Sequence, residues 1–319
     1  MNVYNSLEQI PSDLNATVLS IGNFDGVHRA HQHVLRQNVR RARELGATSM
    51  VVTFDPHPAR ILHPERPKQL ITPLDVKLRL FEQCGIDAVL ILTFDRDLSL
   101  LPPREFARTI LVERLHAKEI HEGSNFHFGH RAQGNVDRLA EFGRELGFDV
   151  IIYPQRYSAG EHVSSSRIRE LVSEGKVSRA RQLLARPFSV LGTAGRGRGY
   201  GHRYTVPTIN LARYDELVPA HGVYITWTRV GQECFDSVTN VGNRPTFGTE
   251  SFAIETHLLN FHPVELTPET EVEIFFLDRV RPELKFPSVE ALRDQISKDV
   301  HRARRYFRHL SRAAKVTET

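Results

Sequence analysis

Residues 17–31 read Thr17-Val18-Leu19-Ser20-Ile21-Gly22-Asn23-Phe24-Asp25-Gly26-Val27-His28-Arg29-Ala30-His31: an apolar run, a glycine-bounded turn, then a helical pattern from about His31. Glycines let the backbone turn tightly, and a helix N-terminus offers free N–H groups at its positive dipole end. Strand, turn and helix in this order are therefore built to hold an anion. His28 and His31 lie three residues apart across the turn and are candidate donors to phosphate oxygens; on spacing alone they are equally well surface histidines.

The same rhythm continues outward to about residue 185. Apolar runs at Ser49–Phe54, Ala88–Leu92 and Val150–Tyr153 alternate with amphipathic helical stretches. Strands alternating with helices predict an α/β unit, a parallel sheet with helices on both faces, and such sheets bind ligands at the carboxyl ends of their strands. Near Arg186-Pro187 the pattern changes to short β-like runs at Phe188–Leu191, Gly222–Trp227, Cys234–Val238, Ala253–His257 and Val272–Phe276, separated by Gly, Pro and polar clusters. That half predicts a small antiparallel β-barrel. A closing helix follows, capped by Ser288, with Val289, Leu292 and Ile296 at helical spacing. The expected domains are 1–185 and 186–319.

The chain has 319 residues, two domains' worth of core. No apolar run is long enough to cross a bilayer, so no membrane association is expected. The cysteines, Cys84 and Cys234, stand far apart and no Cys/His zinc spacing is present, which fits a reducing cytoplasm. A net charge of +4 suits phosphorylated substrates or nucleic acid without choosing between them. Arg302, Arg304, Arg305 and Arg308 read as one solvated side of the last helix.

Further segments narrow the choice. Phe54-Asp55-Pro56-His57-Pro58, Asn125-Phe126-His127-Phe128-Gly129 and Val163-Ser164-Ser165-Ser166-Arg167-Ile168-Arg169 follow the 22–31 turn in order. In the second half, Pro207-Thr208-Ile209-Asn210, Gly222-Val223-Tyr224, the run from Asn240 to Phe247, Glu255-Thr256-His257 and Arg281–Phe286 follow the Gly/Arg stretch 195–201. Taken together these resemble the bifunctional bacterial riboflavin kinase/FMN adenylyltransferase family. The resemblance implies a Rossmann-like nucleotidyltransferase half and a riboflavin-kinase-like half, with riboflavin, FMN and ATP as ligands, Mg²⁺ as cofactor, FMN and FAD as products and no nucleic acid.

By the same resemblance His28 and His31 are catalytic, and Gly22, Asn23, Phe24, Asp25, Gly26, Ser164, Ser165 and Arg169 surround ATP phosphates. Asn125 and Arg281 contact flavin. Gly197 and Gly199 cover the second ATP, Thr208 and Asn210 hold Mg²⁺ and phosphates, and Glu255 is the catalytic base. The chemistry agrees: the phosphate of FMN is already an ionised nucleophile, whereas the ribityl hydroxyl of riboflavin needs a carboxylate to take its proton. A run of serines is also an ordinary helix cap, and Glu255 is also an ordinary outward-facing strand residue.

The sequence departs from the family pattern in three places of the first half. Ala30 stands for a glycine, Ser166 for a threonine, and in Phe128–Asn135 the arginine falls one position early and Asn135 stands for an aspartate. Two other readings stay open at this level: a monofunctional riboflavin kinase with a drifted first half, and a non-catalytic flavin- or RNA-binding regulator. The oligomeric state is left open by the sequence.

Overall fold

Six segments of the N-terminal half pair as one parallel sheet: β1 (Asn2–Tyr4), β2 (Thr17–Ile21), β3 (Thr48–Asp55), β4 (Ala88–Thr93), β5 (Ala117–Gly123) and β6 (Asp149–Tyr153). The structure is a computed structural model and describes residues 1–194, 208–211, 214–246, 249–262 and 270–317, with backbone alone at 243–246, 249–252 and 311–317. The strand order is β1-β4-β3-β2-β5-β6, so the winding reverses between β2 and β5. All five residues of β2 are buried, as expected of a strand covered on both sides.

On one face Val51, Val89 and Ile91 pack with Leu35 and Val39 of α1 (Arg29–Leu45) and Phe81 of α2 (Leu74–Gln83). On the other, Leu19, Ile21, Met50 and Val52 meet Phe106, Ile110 and Leu111 of a π-helical segment (Phe106–Arg114) and Leu139 of α3 (Val136–Leu146). Helix α1 buries Val34, Leu35, Asn38, Val39 and Ala42 along one stripe and stops at Gly46, whose φ of 62° is the left-handed cap glycine favours. It begins at Arg29, two residues ahead of the sequence expectation, because the His28 side chain caps it. Histidine is not a preferred cap, so the sequence gives little warning.

The chain divides into two units, Met1–Ser165 and Ser166–Thr319. Beyond Ser165, α4 (Ser165–Ser173) and α5 (Val177–Leu184) thus fall in the second unit. The second sheet contains β7 (Phe188–Thr193), β8 (Thr208–Asn210), β9 (Gly222–Val230), β10 (Glu233–Thr246), β11 (Thr249–Leu258) and β12 (Glu271–Pro282). It is antiparallel, in the order β7-β12-β9-β10-β11-β8. An isolated bridge, Ala194 to Leu211, joins the residues that follow the two edge strands, so the six strands curl into a half-barrel. Helix α5 buries Val177, Ala180, Leu183 and Leu184 and packs on β7 and β12.

The terminal helix α6 (Val289–Thr317) follows Ser288, whose Oγ accepts from the Ala291 amide at 3.2 Å. Its burial does not fall where the spacing of Val289, Leu292 and Ile296 suggests, for these are 69, 40 and 47% exposed. Contact with the sheet is made further along, where Ala303 and Phe307 pack against Val223, Ile225, Val238 and Leu277. Arg302, Arg304, Arg305 and Arg308 of this helix are exposed, as expected of a solvated face.

Candidate active sites

In the first unit the turn after β2 is held in an unusual backbone. Phe24, Gly26 and Val27 have φ of 47°, 87° and 36°, and the Val27 amide closes the turn on the Phe24 carbonyl at 2.9 Å. A β-branched residue at positive φ is strained by about 1–3 kcal/mol, and such strain gathers where a turn serves a ligand. Val27 is fully buried, and that burial offsets the strain. Asn23 Oδ1 is buried with no hydrogen-bond partner among the described residues, an acceptor that a ligand donor would satisfy.

His28 accepts from the His31 amide through Nδ1 at 3.3 Å. The proton of a neutral His28 ring therefore sits on Nε2, which is left as the donor. The two rings stack with centroids 3.5 Å apart and 16° between planes, and Phe24 meets His31 edge-on at 5.1 Å. Ala30 is an ordinary residue in the first turn of α1 and is not among the residues with positive φ, so alanine adds no backbone strain there.

Asp25 is 3% exposed, and its Oδ1 accepts from the amides of Ile71 and Thr72 at 2.9 and 3.1 Å. Its backbone carbonyl accepts the Ser165 hydroxyl at 2.7 Å, which ties the serine run to the turn. Asp25 thus braces the site from beneath. Ser164 precedes α4, and Arg169 lies on that helix in the second unit. Asn125 is exposed in the turn after β5, closed by the Phe126 amide on the Gly123 carbonyl at 3.0 Å. The altered 128–135 segment is locally coherent. A Cβ on Gly129 would lie 2.5 Å from Pro103 and one on Gly134 2.7 Å from the Phe128 ring. Asn135 caps α3 by accepting from the Arg138 amide at 2.9 Å, a task asparagine and aspartate perform alike.

Sequence reasoning missed Lys77. It is 4% exposed on α2, where burial pushes its pKa down against the opposing pull of Asp25 and Asp55. A buried cation near Asp25 balances that carboxylate, and the available signal was a lysine four residues before Phe81 on an apolar stripe. A second buried group also escaped notice. Arg41 of α1 forks Glu119, and Glu119 in turn bonds His121 Nε2 at 3.1 Å, whose Nδ1 lies 2.8 Å from the Tyr153 hydroxyl. Burial lowers the pKa of His121, while Arg41 first and His121 next hold the Glu119 carboxyl down. This chain fixes α1 to β5.

In the second unit the register assembles residues 45 positions apart. Asn210 of β8 pairs with Glu255 of β11, which pairs with Asn240 of β10; Thr208 pairs with His257. Facing residues project to the same side of a sheet, so Thr208, Asn210, Glu255 and Asn240 share one face. Glu255 is half-buried between buried Ile254 and Thr256. His257 on that face has its pKa lowered, mainly by burial and then by Arg304. Arg281 lies in the same row, opposite Val223 of β9, which pairs with Asn240; its Nε and Nη2 grip Asp299 at 3.0 and 2.9 Å, and its guanidinium lies over Phe286 at 5.5 Å. Gly197 and Gly199 lie outside the described residues.

Thr208 and Asn210 offer neutral oxygen donors, the hard ligand type Mg²⁺ takes when phosphates supply the charge. No set of three His, Cys, Asp or Glu among the described residues is placed to hold a metal by itself. Nor is any helix among them long and apolar enough to cross a membrane.

A glycine-bounded turn at a helix N-terminus, placed at the reversal of a parallel sheet, and in the same chain a Thr/Asn/Glu face on a curled antiparallel sheet suit a nucleotide-dependent transferase. Comparison with known proteins gives the family. The FAD synthetase family model matches residues 10–167 and the riboflavin kinase model residues 184–307. The bifunctional riboflavin kinase/FMN adenylyltransferase of Listeria monocytogenes is 34% identical over 302 residues, covering 94% of this chain and 95% of the relative. That of Escherichia coli K12 is 31% identical over 303 residues, covering 95 and 96%. A solved chain from Streptococcus pneumoniae, described as a macrolide-efflux protein, shares the fold with TM-score 0.84 and 27% identity over 95% of this chain and 98% of its own. The chain belongs to the bifunctional riboflavin kinase/FMN adenylyltransferase family. It is an enzyme of FAD biosynthesis that carries both activities, riboflavin to FMN and FMN to FAD, and the monofunctional and non-catalytic readings are not favoured.

Proposed function

We propose that the first half, residues 1–185, is a Rossmann-like nucleotidyltransferase unit that adenylylates FMN, and that residues 186–319 form a riboflavin-kinase-like barrel. In the first half the attacking FMN phosphate is already ionised, so the residues have only to position it and stabilise charge. His28 through Nε2, His31, the first turn of α1 and the turn Gly22–Gly26 contact the phosphates of ATP. Ser164 and Ser165 join them from the following segment, and Asn125 contacts the flavin nucleotide. Arg169 is assigned to phosphate by the likeness of its motif alone.

In the second half Glu255 takes the proton of the ribityl hydroxyl, with Thr208 and Asn210 beside the transferred phosphoryl group. Bound Mg²⁺ would be held there and would neutralise charge on the transferring oxygens. Gly197 and Gly199 cover the nucleotide, and Arg281, oriented by Asp299, serves the flavin side. The observation that carries this assignment is the row Asn210, Glu255, Asn240 across three paired strands. The enzyme works in the cytoplasm without a nucleic-acid partner.

The test is a separation of activities in the full chain. Pure protein is incubated with riboflavin and Mg-ATP, and the flavins are resolved by chromatography. His28→Ala is expected to accumulate FMN and make no FAD. Equal loss of both products in a folded variant would sink the assignment of two sites.

A further inference from the structure

At the reversal of winding the carboxyl ends of β2 and β5 lie side by side, the place where open α/β sheets take ligands, and they lead into the Gly22–His28 turn and the Asn125 turn. Backbone pairing of β2 with β5 ends at Leu19 opposite Ile120, whereas pairing with β3 continues to Ile21 opposite Val52. The Ile21 amide therefore has no β5 carbonyl to meet. Glu122 Oε1 takes its place and accepts that amide at 2.5 Å. The Gly123 amide also donates to the Glu122 carboxyl. A single side chain thus binds the residue before Gly22 and the residue two before Asn125. Gly123 is itself close to that turn, since a Cβ on it would lie 3.1 Å from Asn125 Oδ1.

Glu122 is 5% exposed, and no ion pair among the described residues joins it. Burial drives its pKa well above the ordinary carboxylate value, and the two amides only partly oppose that. Adenylyl transfer from an ionised phosphate needs no acid or base of this kind. A buried, unpaired acid is a costly residue to place in a strand, and its contacts give it a geometric task rather than a chemical one.

We propose that Glu122 is a positioning residue for FMN adenylylation: its carboxyl group ties the end of β2 to the end of β5 and so sets the gap between the 22–28 turn and the Asn125 turn. The role rests on the reading that those two turns form the adenylyl-transfer site. Displacing one turn by about an ångström separates the reacting groups, which costs on the order of 10²-fold in efficiency.

Three variants of the full chain test it. Glu122→Gln keeps the length and an acceptor for the Ile21 amide, Glu122→Asp falls one methylene short, and Glu122→Ala removes the tie. The measurements are kcat and KM for FMN adenylylation, riboflavin phosphorylation in the same preparations, and hydrogen exchange of the Ile21 amide. Asp and Ala are expected to lower kcat/KM for FMN by ~10–100-fold, mostly through KM, and to speed exchange at Ile21. Gln should recover most of the wild-type efficiency and protection, and riboflavin phosphorylation should be the same in all. The proposal is overturned if Asp adenylylates FMN like wild type, or if Gln is as impaired as Asp; should Ala fail to fold, that comparison still decides. His28→Ala serves as control. FAD formation left intact in it would remove the site reading itself, whatever Glu122 does.

Discussion

Thr256→Val removes one hydroxyl from a closed ring and leaves the volume unchanged. Thr226, Ser237, Thr228, Thr256 and Thr239 are all 0% exposed on the inner face of β9, β10 and β11. Their oxygens lie 2.8, 2.8, 2.9, 2.9 and 2.7 Å apart around a five-membered cycle. Five hydroxyls carry five protons, enough for one donation along each edge. Without the Thr256 hydroxyl, Thr228 and Thr239 each lose a partner, while the Ser237 hydroxyl, 2.9 Å from the Thr226 carbonyl, gives the remaining protons a way out of the ring. A lost bond costs about 0.5–1.5 kcal/mol, so the two together should cost about 1–3 kcal/mol. At roughly 2–4 °C per kcal/mol for a unit of this size, Tm should fall by roughly 2–12 °C. Trp227, the chain's one tryptophan, lies on β9 and reports this unit's unfolding by fluorescence. Adding Thr239→Val should cost much less than it does alone, because the cycle is already open. A Thr256→Val chain within 0.5 kcal/mol of wild type, or a strictly additive pair, would refute the reasoning.

Glu255→Gln keeps size and hydrogen bonding but cannot take a proton, so kcat for FMN formation should fall by ~10²–10⁴-fold while supplied FMN is still adenylylated; activity within a few-fold of wild type would exclude Glu255 as the base. Glu122 has a raised pKa in the folded chain, so above 4.5 the unfolded state releases a proton that the folded state retains. That cost is absent below 4.5 and grows by about 1.4 kcal/mol per pH unit until the folded group ionises, so urea midpoints of Glu122→Gln should gain on wild type as pH rises from 4.5. A constant difference across that range would count against a neutral Glu122. Gly129→Ala meets Pro103 and holds a φ of 72°, so it should destabilise the first unit by about 1–3 kcal/mol in thermal unfolding and weaken FMN adenylylation; wild-type behaviour would show that the turn yields.

The first unit was legible because parallel strands buried on both faces are continuous apolar runs, and Thr17–Ile21, Thr48–Asp55 and Ala88–Thr93 stand out as such. The second was legible only in part. Strand β10 runs from Glu233 to Thr246, far past the apolar stretch 234–238, because its inner face carries Ser237 and Thr239 where alternation would require apolar side chains. Hydroxyls that satisfy one another look like a loop in sequence. The site residues were visible as motifs, whereas Lys77 and Glu122 were not, since each stands among other charged residues, Asp75 and Arg79 around the one and Lys118 and Glu119 before the other, and only packing shows which charge is buried. Val289, Leu292 and Ile296 misdirect for the opposite reason: helical spacing gives the face of a helix, not which part of its length touches the sheet.

The placement of acids follows from the two chemistries. An ionised carboxylate facing the phosphates of ATP and FMN would repel both substrates, so an adenylyl-transfer site tolerates acids only if their charge is spent or absent. Asp25 spends its charge on two backbone amides and on the field of Lys77, and it contributes a backbone carbonyl to Ser165. Glu122 is driven toward its neutral form by burial and serves as a tie. The proposed kinase base, Glu255, is half-buried in the row between Asn210 and Asn240, whose side chains offer neutral oxygens on either side. On the proposed assignment, one chain keeps its acids neutralised where the nucleophile arrives ionised and sets a carboxylate beside the nucleophile that arrives protonated.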